Sequence, residues 1–125
     1  MQTSEVQKSL KERTKQFALR IIRLYVALPK REEAQVLGKQ LLRSGTSVGA
    51  QYHEAQRSRS DAELASKLES ALQEIEETCY WLDLVADSGV VPATRLEDLR
   101  REAGELTAIL ITCVRNVKRR IARSR

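Results

Sequence analysis

The chain of 125 residues carries 22 Lys plus Arg against 17 Asp plus Glu, a formal net charge of +5, with 42% hydrophobic and 31% charged residues. That length holds one domain with a core but not two, and that mix excludes a wholly disordered chain. Five glycines, two prolines and only five aromatics (Phe17, Tyr25, Tyr52, Tyr80, Trp81) leave too little turn-forming material for an all-β sandwich or barrel, so long helices are expected.

In chain order, the first segment runs from about Ser4 to Leu28, with Phe17, Ile21, Leu24, Tyr25 and Leu28 recurring at helical spacing. Pro29 pushes the residue before it out of the α region and predicts a stop there. Arg20 and Arg23 interrupt the apolar stretch Phe17 to Leu28, so it reads neither as a signal-peptide core nor as a membrane span. The second segment, about Arg31 to Arg57, places Leu37, Leu41, Val48, Tyr52 and Ala55 on one face. Its three glycines, Gly38, Gly45 and Gly49, each cost about 1 kcal/mol against Ala in a helix interior, and they weaken the expectation of continuity. Gly45 and Gly49 would also let another helix approach closely.

The third segment opens on Ser60-Asp61-Ala62-Glu63, a capping box in which Ser60 accepts from the Glu63 amide and Glu63 reaches back to the Ser60 amide. The stripe Leu64, Leu68, Ala71, Leu72, Ile75, Cys79, Leu82 and Ala86 follows, ended by Gly89 and Pro92. The fourth segment, about Ala93 to Ala122, repeats Leu96, Leu99, Ala103, Leu106, Leu110, Cys113, Val117 and Ile121. Segments near 25 residues are about 38 Å long, and short connections make neighbours antiparallel. The expected fold is all-α: a single antiparallel up-down-up-down four-helix bundle spanning 1–125, with a basic C-terminal tail over about 115–125.

Charge is unevenly distributed. Residues 61–90 hold one basic and eight acidic groups, whereas residues 1–30 hold seven basic and two acidic ones and residues 91–125 hold nine and four. Such asymmetry points to a charged partner, an oligomer partner, or both.

Catalytic readings fail on residue types. The one histidine, His53, has Ala50 three positions before it, so no Glu-x-x-His pair exists for a di-iron bundle. No phosphate-binding glycine loop and no nucleophile elbow is present. Cys79 and Cys113 fall within helical stripes as small core residues, and with a single His they cannot close a zinc site. No enzyme activity, cofactor, metal or small-molecule substrate is expected, and the default location is the reducing cytoplasm.

Three groups of side chains stand out. Arg43, Ser47, Ala50, Gln51, Glu54 and Arg57 share one face of the second segment, either as a buried structural network or as the polar lining of a pore or groove in an oligomer. Tyr80, Trp81 and Leu84 lie in a run apolar on nearly every side, either packed under the following loop or forming a subunit interface, and the size of the patch favours the interface. The C-terminal Arg115, Lys118, Arg119, Arg120, Arg123 and Arg125, with Arg20 and Arg23 of the first segment, are the candidates for binding phosphate. Scarce aromatics argue against a stacking platform, so charge and shape would drive binding.

Leu28-Pro29-Lys30-Arg31-Glu32-Glu33, Leu37 to Ser44, Ser47 to Ala50, Glu54-Ala55, Arg57 to Ser60, Ala62-Glu63, Lys67, Ala71 to Glu74 and Glu77 to Leu82 together resemble the 23S rRNA-intervening-sequence proteins over roughly residues 15–118. The pattern differs at Gln51 and at Glu54-Ala55, where the family commonly has Asn and Glu-Gly. The resemblance implies a four-helix bundle that assembles into a ring, commonly a pentamer. It also implies similarity to the accessory proteins of diversity-generating retroelements, which bind nucleic acid and a reverse transcriptase. Two functions follow as expectations. One is a nucleic-acid-binding homo-oligomer, for RNA or DNA, serving a reverse transcriptase or another RNA–protein machine. The other is a protein scaffold whose acidic third helix docks on basic partners.

Overall fold

A computed structural model describes residues 3–124, with side chains from residue 10 onward. The described residues form four α-helices and no strand: α1 Thr3–Ala27, α2 Glu32–Ala55, α3 Asp61–Asp87 and α4 Glu97–Arg123, with a 3₁₀ turn, Ala93–Leu96, leading into α4. No helix among them is long and apolar enough to cross a membrane.

The helix ends follow from local chemistry. α1 stops ahead of Leu28-Pro29, and the Leu28 amide turns back to the Tyr25 carbonyl at 3.2 Å. α2 begins after an extended Arg31, with Glu32 and Glu33 on the positive end of its dipole. At the start of α3 the Ser60 hydroxyl accepts from the Glu63 amide at 3.1 Å, as the capping box requires. The return half differs from expectation. The Glu63 carboxylate takes the Arg59 amide at 2.8 Å instead of that of Ser60, satisfying a donor one residue further out. α3 ends at Asp87 with Ser88 as its cap, followed by Gly89 at φ 75°, a conformation that glycine adopts without steric cost.

One boundary corrects the sequence reading. The fourth segment does not enter as α-helix at Ala93: Pro92 first launches a 3₁₀ turn, and regular helix begins at Glu97. At its other end α4 continues unbroken through Arg123, one residue past the expected Ala122, so the basic residues from Arg115 to Arg123 stand on this helix.

α2 runs through all three of its glycines, and packing explains why. A Cβ at Gly38 would lie 2.4 Å from the Leu28 side chain, and one at Gly45 would lie 2.8 Å from Ile21. Gly49 faces Thr14. Small residues there set α1 close on α2, which offsets the propensity cost.

α1 packs on α2 and α4, and α3 packs on α2 and α4. Phe17 and Ile21 of α1, Leu41 and Val48 of α2, Ile75 and Leu82 of α3, and Leu106 and Leu110 of α4 are all buried in one continuous cluster. Each such side chain contributes about 1.5–3 kcal/mol through burial. Arg13 clamps α1 to α4, donating to Glu102 at 2.7 and 3.0 Å and to Glu105 at 2.8 Å. Hydrogen bonding to Glu102 is the leading cause of a raised pKa at that guanidinium.

Candidate nucleic-acid interface

The last three turns of α4 carry five described cations, and the fold divides them. Lys118 pairs with Glu69 at 2.8 Å, and Arg120 donates to both oxygens of Asp61 at 2.8 and 3.2 Å. Those hydrogen bonds from Arg120 hold the Asp61 carboxyl below the usual carboxylate range. Both cations are thereby tied to α3. Arg115, Arg119 and Arg123 are exposed and pair with no acid among the described residues. Spaced four apart, they form a line on one face of the helix, away from the buried Val114 and Val117. Arg125 lies outside the described residues. Beside this line runs a groove between α3 and α4, with Leu72, Val114 and Ile111 in its wall and Arg115, Lys118 and Arg119 at its rim.

Arg20 and Arg23 stand elsewhere. They line a cleft of about 460 Å³ where the end of α1 meets the α3–α4 connection, and a third arginine, Arg95 from the 3₁₀ turn, lines it with them. No carboxylate lines this cleft, and none of the three arginines pairs with a described acid. Along α4, the 24 residues from Arg95 to Arg119 correspond to about 36 Å, so the two basic sites are separate within one chain. Arg95 escaped the sequence reading because it sits alone between Thr94 and Leu96, with no neighbouring cation in the chain to mark it.

The polar face of α2 is an outward ion network, not a buried one. The Arg43 side chain is 51% exposed and pairs with Glu77 and, at 3.6 Å, with Glu74, both on α3. Glu77 also accepts from the Trp81 indole at 3.2 Å, so one carboxylate joins Arg43 to Trp81. Glu54 pairs with Lys67 at 2.7 Å, and that bond lowers the carboxyl pKa. Ser47 spends its hydroxyl on the Arg43 carbonyl at 2.6 Å, and Gln51 is half-buried. Beneath this network Ser44 and Thr78, both fully buried, hydrogen-bond to each other at 2.9 Å between α2 and α3.

Of the apolar run on α3, Tyr80 is 56% exposed and meets Trp81 edge to face at a centroid distance of 5.3 Å, while Trp81 and Leu84 are half-buried. A second apolar face went unnoticed in the sequence. Leu19, Ile22 and Val26 of α1 are 36%, 40% and 70% exposed, on the side of the helix opposite Phe17 and Ile21. The core stripe of α1 masked it, because the segment is apolar on two faces at once.

Burial is the main cause of a raised thiol pKa at both Cys79 and Cys113, and it pushes the Tyr52 hydroxyl up to about 12. Among the described residues no group of three or more His, Cys, Asp or Glu is placed to hold a metal ion.

Comparison with known proteins bears on most of the chain. The model of a family described as 23S rRNA-intervening sequence protein matches residues 7–112. A crystal structure from Bacteroides thetaiotaomicron, described as a protein with unknown function from the S23 ribosomal protein family, superposes with a TM-score of 0.82 at 35% sequence identity, covering 87% of this chain and 97% of that one. Among curated proteins none matches.

Proposed function

Because the chain belongs to the 23S rRNA-intervening sequence protein family, we propose that it is a non-enzymatic, basic, homo-oligomeric nucleic-acid-binding accessory protein. In this reading it forms a ring of five copies in the cytoplasm and serves a reverse transcriptase or another RNA–protein complex. The observation that carries nucleic-acid binding is the line of Arg115, Arg119 and Arg123, unpaired among the described residues and held on a rigid helix. Such a line neutralises successive phosphates, releases counterions and reads no base edges.

The ring is supported by the uncovered aliphatic face of Leu19, Ile22 and Val26, since a helix apolar on two faces is normally buried on both. Tyr80 offers a second exposed apolar surface on α3. The antiparallel up-down-up-down order is supported by pairs whose numbers run in opposite senses. Ile21 meets Gly45 while Thr14 meets Gly49, Arg43 meets Glu77 while Glu54 meets Lys67, and Asp83 meets Arg100 while Asp61 meets Arg120. The rival scaffold reading is weakened by the same ion pairs. Asp61, Glu69, Glu74, Glu77 and Asp83 of α3 already bind cations of this chain, leaving a thinner acidic surface for a partner.

The test is a mobility-shift titration with mixed-sequence RNA and DNA at about 50 mM salt, where a basic ring should bind well. Retention that weakens steeply with added salt is expected. Arg115→Glu, Arg119→Glu and Arg123→Glu together should abolish it while the light-scattering mass stays unchanged. No retention by the unmodified protein overturns the nucleic-acid reading, and a stable monomer overturns the ring.

A further inference from the structure

We propose that the cleft formed by Arg20, Arg23 and Arg95 receives the terminal phosphate of a nucleic-acid strand, with the last base laid against the cleft's apolar wall. The proposal rests on the nucleic-acid reading above but concerns a different surface from the α4 line.

The cleft joins two chemistries. Arg20 and Arg23 of α1 and Arg95 of the 3₁₀ turn line it together with the apolar residues Leu24, Val91 and Leu96. Val91 and Leu96 are buried members of the core, so the wall is fixed rather than a flap. On α4, Asp98 holds Arg101 at 2.7 Å and Glu102 holds Arg13, while Glu97 lines a different cleft with Asp83, Arg100 and Arg101. No carboxylate lines the cleft itself, and its three arginines form no ion pair with a described acid.

Charge then selects among phosphates. An internal phosphodiester carries one negative charge, whereas a phosphomonoester carries about −1.5 to −2 near neutral pH with three acceptor oxygens. Three arginines, each able to present a two-pronged donor fork, match the second better than the first. A phosphate alone would leave Leu24, the partly exposed residue of the apolar wall, uncovered. A cleft of about 460 Å³ has room for an attached nucleoside, whose base would cover Leu24. A strand crossing the surface along its backbone would present diesters to the cleft and keep its bases out of it.

The experiment compares three labelled strands of one sequence, with hydroxyl ends, with a 5′ phosphate and with a 3′ phosphate, by fluorescence anisotropy on the full chain at about 150 mM salt. One phosphorylated form should bind about tenfold more tightly than the hydroxyl-ended strand, the change that one good charge-assisted contact supplies. Arg95→Gln should bring that ratio to about one, its fold checked by circular dichroism. The triple Glu variant of Arg115, Arg119 and Arg123 should weaken all three strands and preserve the ratio. Equal binding of the three strands by the unmodified protein, or a ratio that survives Arg95→Gln, overturns the cleft proposal and leaves the nucleic-acid reading standing. Absence of binding to every strand overturns both. A free nucleoside monophosphate that competes as well as the phosphorylated strand overturns the strand-end assignment in favour of a mononucleotide site.

Discussion

At Gly45 one hydrogen atom in place of a side chain sets how closely α1 lies on α2. The position a Cβ would occupy is 2.8 Å from Cγ1 of Ile21, itself fully buried, so neither partner can give way cheaply. Gly45→Val should destabilise the protein by at least about 2 kcal/mol through overpacking. Gly104 is the opposite case, an exposed position in α4 where an added Cβ meets nothing within 4 Å. Gly104→Ala should stabilise by about 1 kcal/mol, from helix propensity alone. Urea unfolding of the two variants reads both effects, and the same sign for both would refute the packing account. The sequence marks Gly45 and Gly49 as points of close approach, but every helical glycine carries the same propensity cost there. Only the neighbour across the helix interface tells a required glycine from a dispensable one. The same holds for the cations near the C-terminus. Arg119 and Arg120 are adjacent in sequence, yet a rotation of about 100° between them sends Arg120 to Asp61 and leaves Arg119 facing outward.

At the scale of elements, the sequence is most legible where chemistry is local. Ser60, Pro29 and Gly89 mark boundaries that the structure places within a residue or two of expectation, because caps and φ restrictions act over one turn. Ser60→Ala should cost about 1 kcal/mol by leaving the Glu63 amide without its acceptor, read as a lower urea midpoint with unchanged slope. The 3₁₀ turn before α4 was not legible. Apolar spacing through Leu96 and Leu99 fits a continuing α-helix, and only the tighter path out of Pro92 reveals the change. That turn brings Arg95 to the cleft. α4 ends within a residue of expectation, at Arg123 against about Ala122, although its last residues are charged and carry little apolar pattern. α1 shows the converse, where too much apolar spacing hid the separate outward face of Leu19, Ile22 and Val26.

For the whole molecule, the acidic block in residues 61–90 proves to be the charge partner of its own neighbours. α3 packs on α2 and α4, and its carboxylates pair with Arg43 and Lys118, among other cations on those helices. Asp61 and Glu54 sit below the usual carboxylate range, each chiefly because of a hydrogen bond from its cationic partner, Arg120 or Lys67. A carboxyl with a lowered folded pKa contributes stability that is complete above its unfolded pKa and is lost as pH falls toward the folded value. The urea midpoint should therefore hold near neutrality and decline as pH drops through the carboxylate range. Asp61→Asn combined with Glu54→Gln should lower the neutral midpoint and flatten the decline. An equally steep acid loss in that double variant would remove these two pairs from the account.

The sequence by itself determined helical class, the number of segments, their main buried faces and the family resemblance, because periodicity, caps and breakers act within a few residues of chain. Tertiary structure decided which cations are consumed in ion pairs, which glycines are required, and that Arg20, Arg23 and Arg95 share one cleft. Those outcomes depend on which side chains meet across helix interfaces. Coulomb attraction and steric contact act through space over a few ångströms, whatever the distance along the chain.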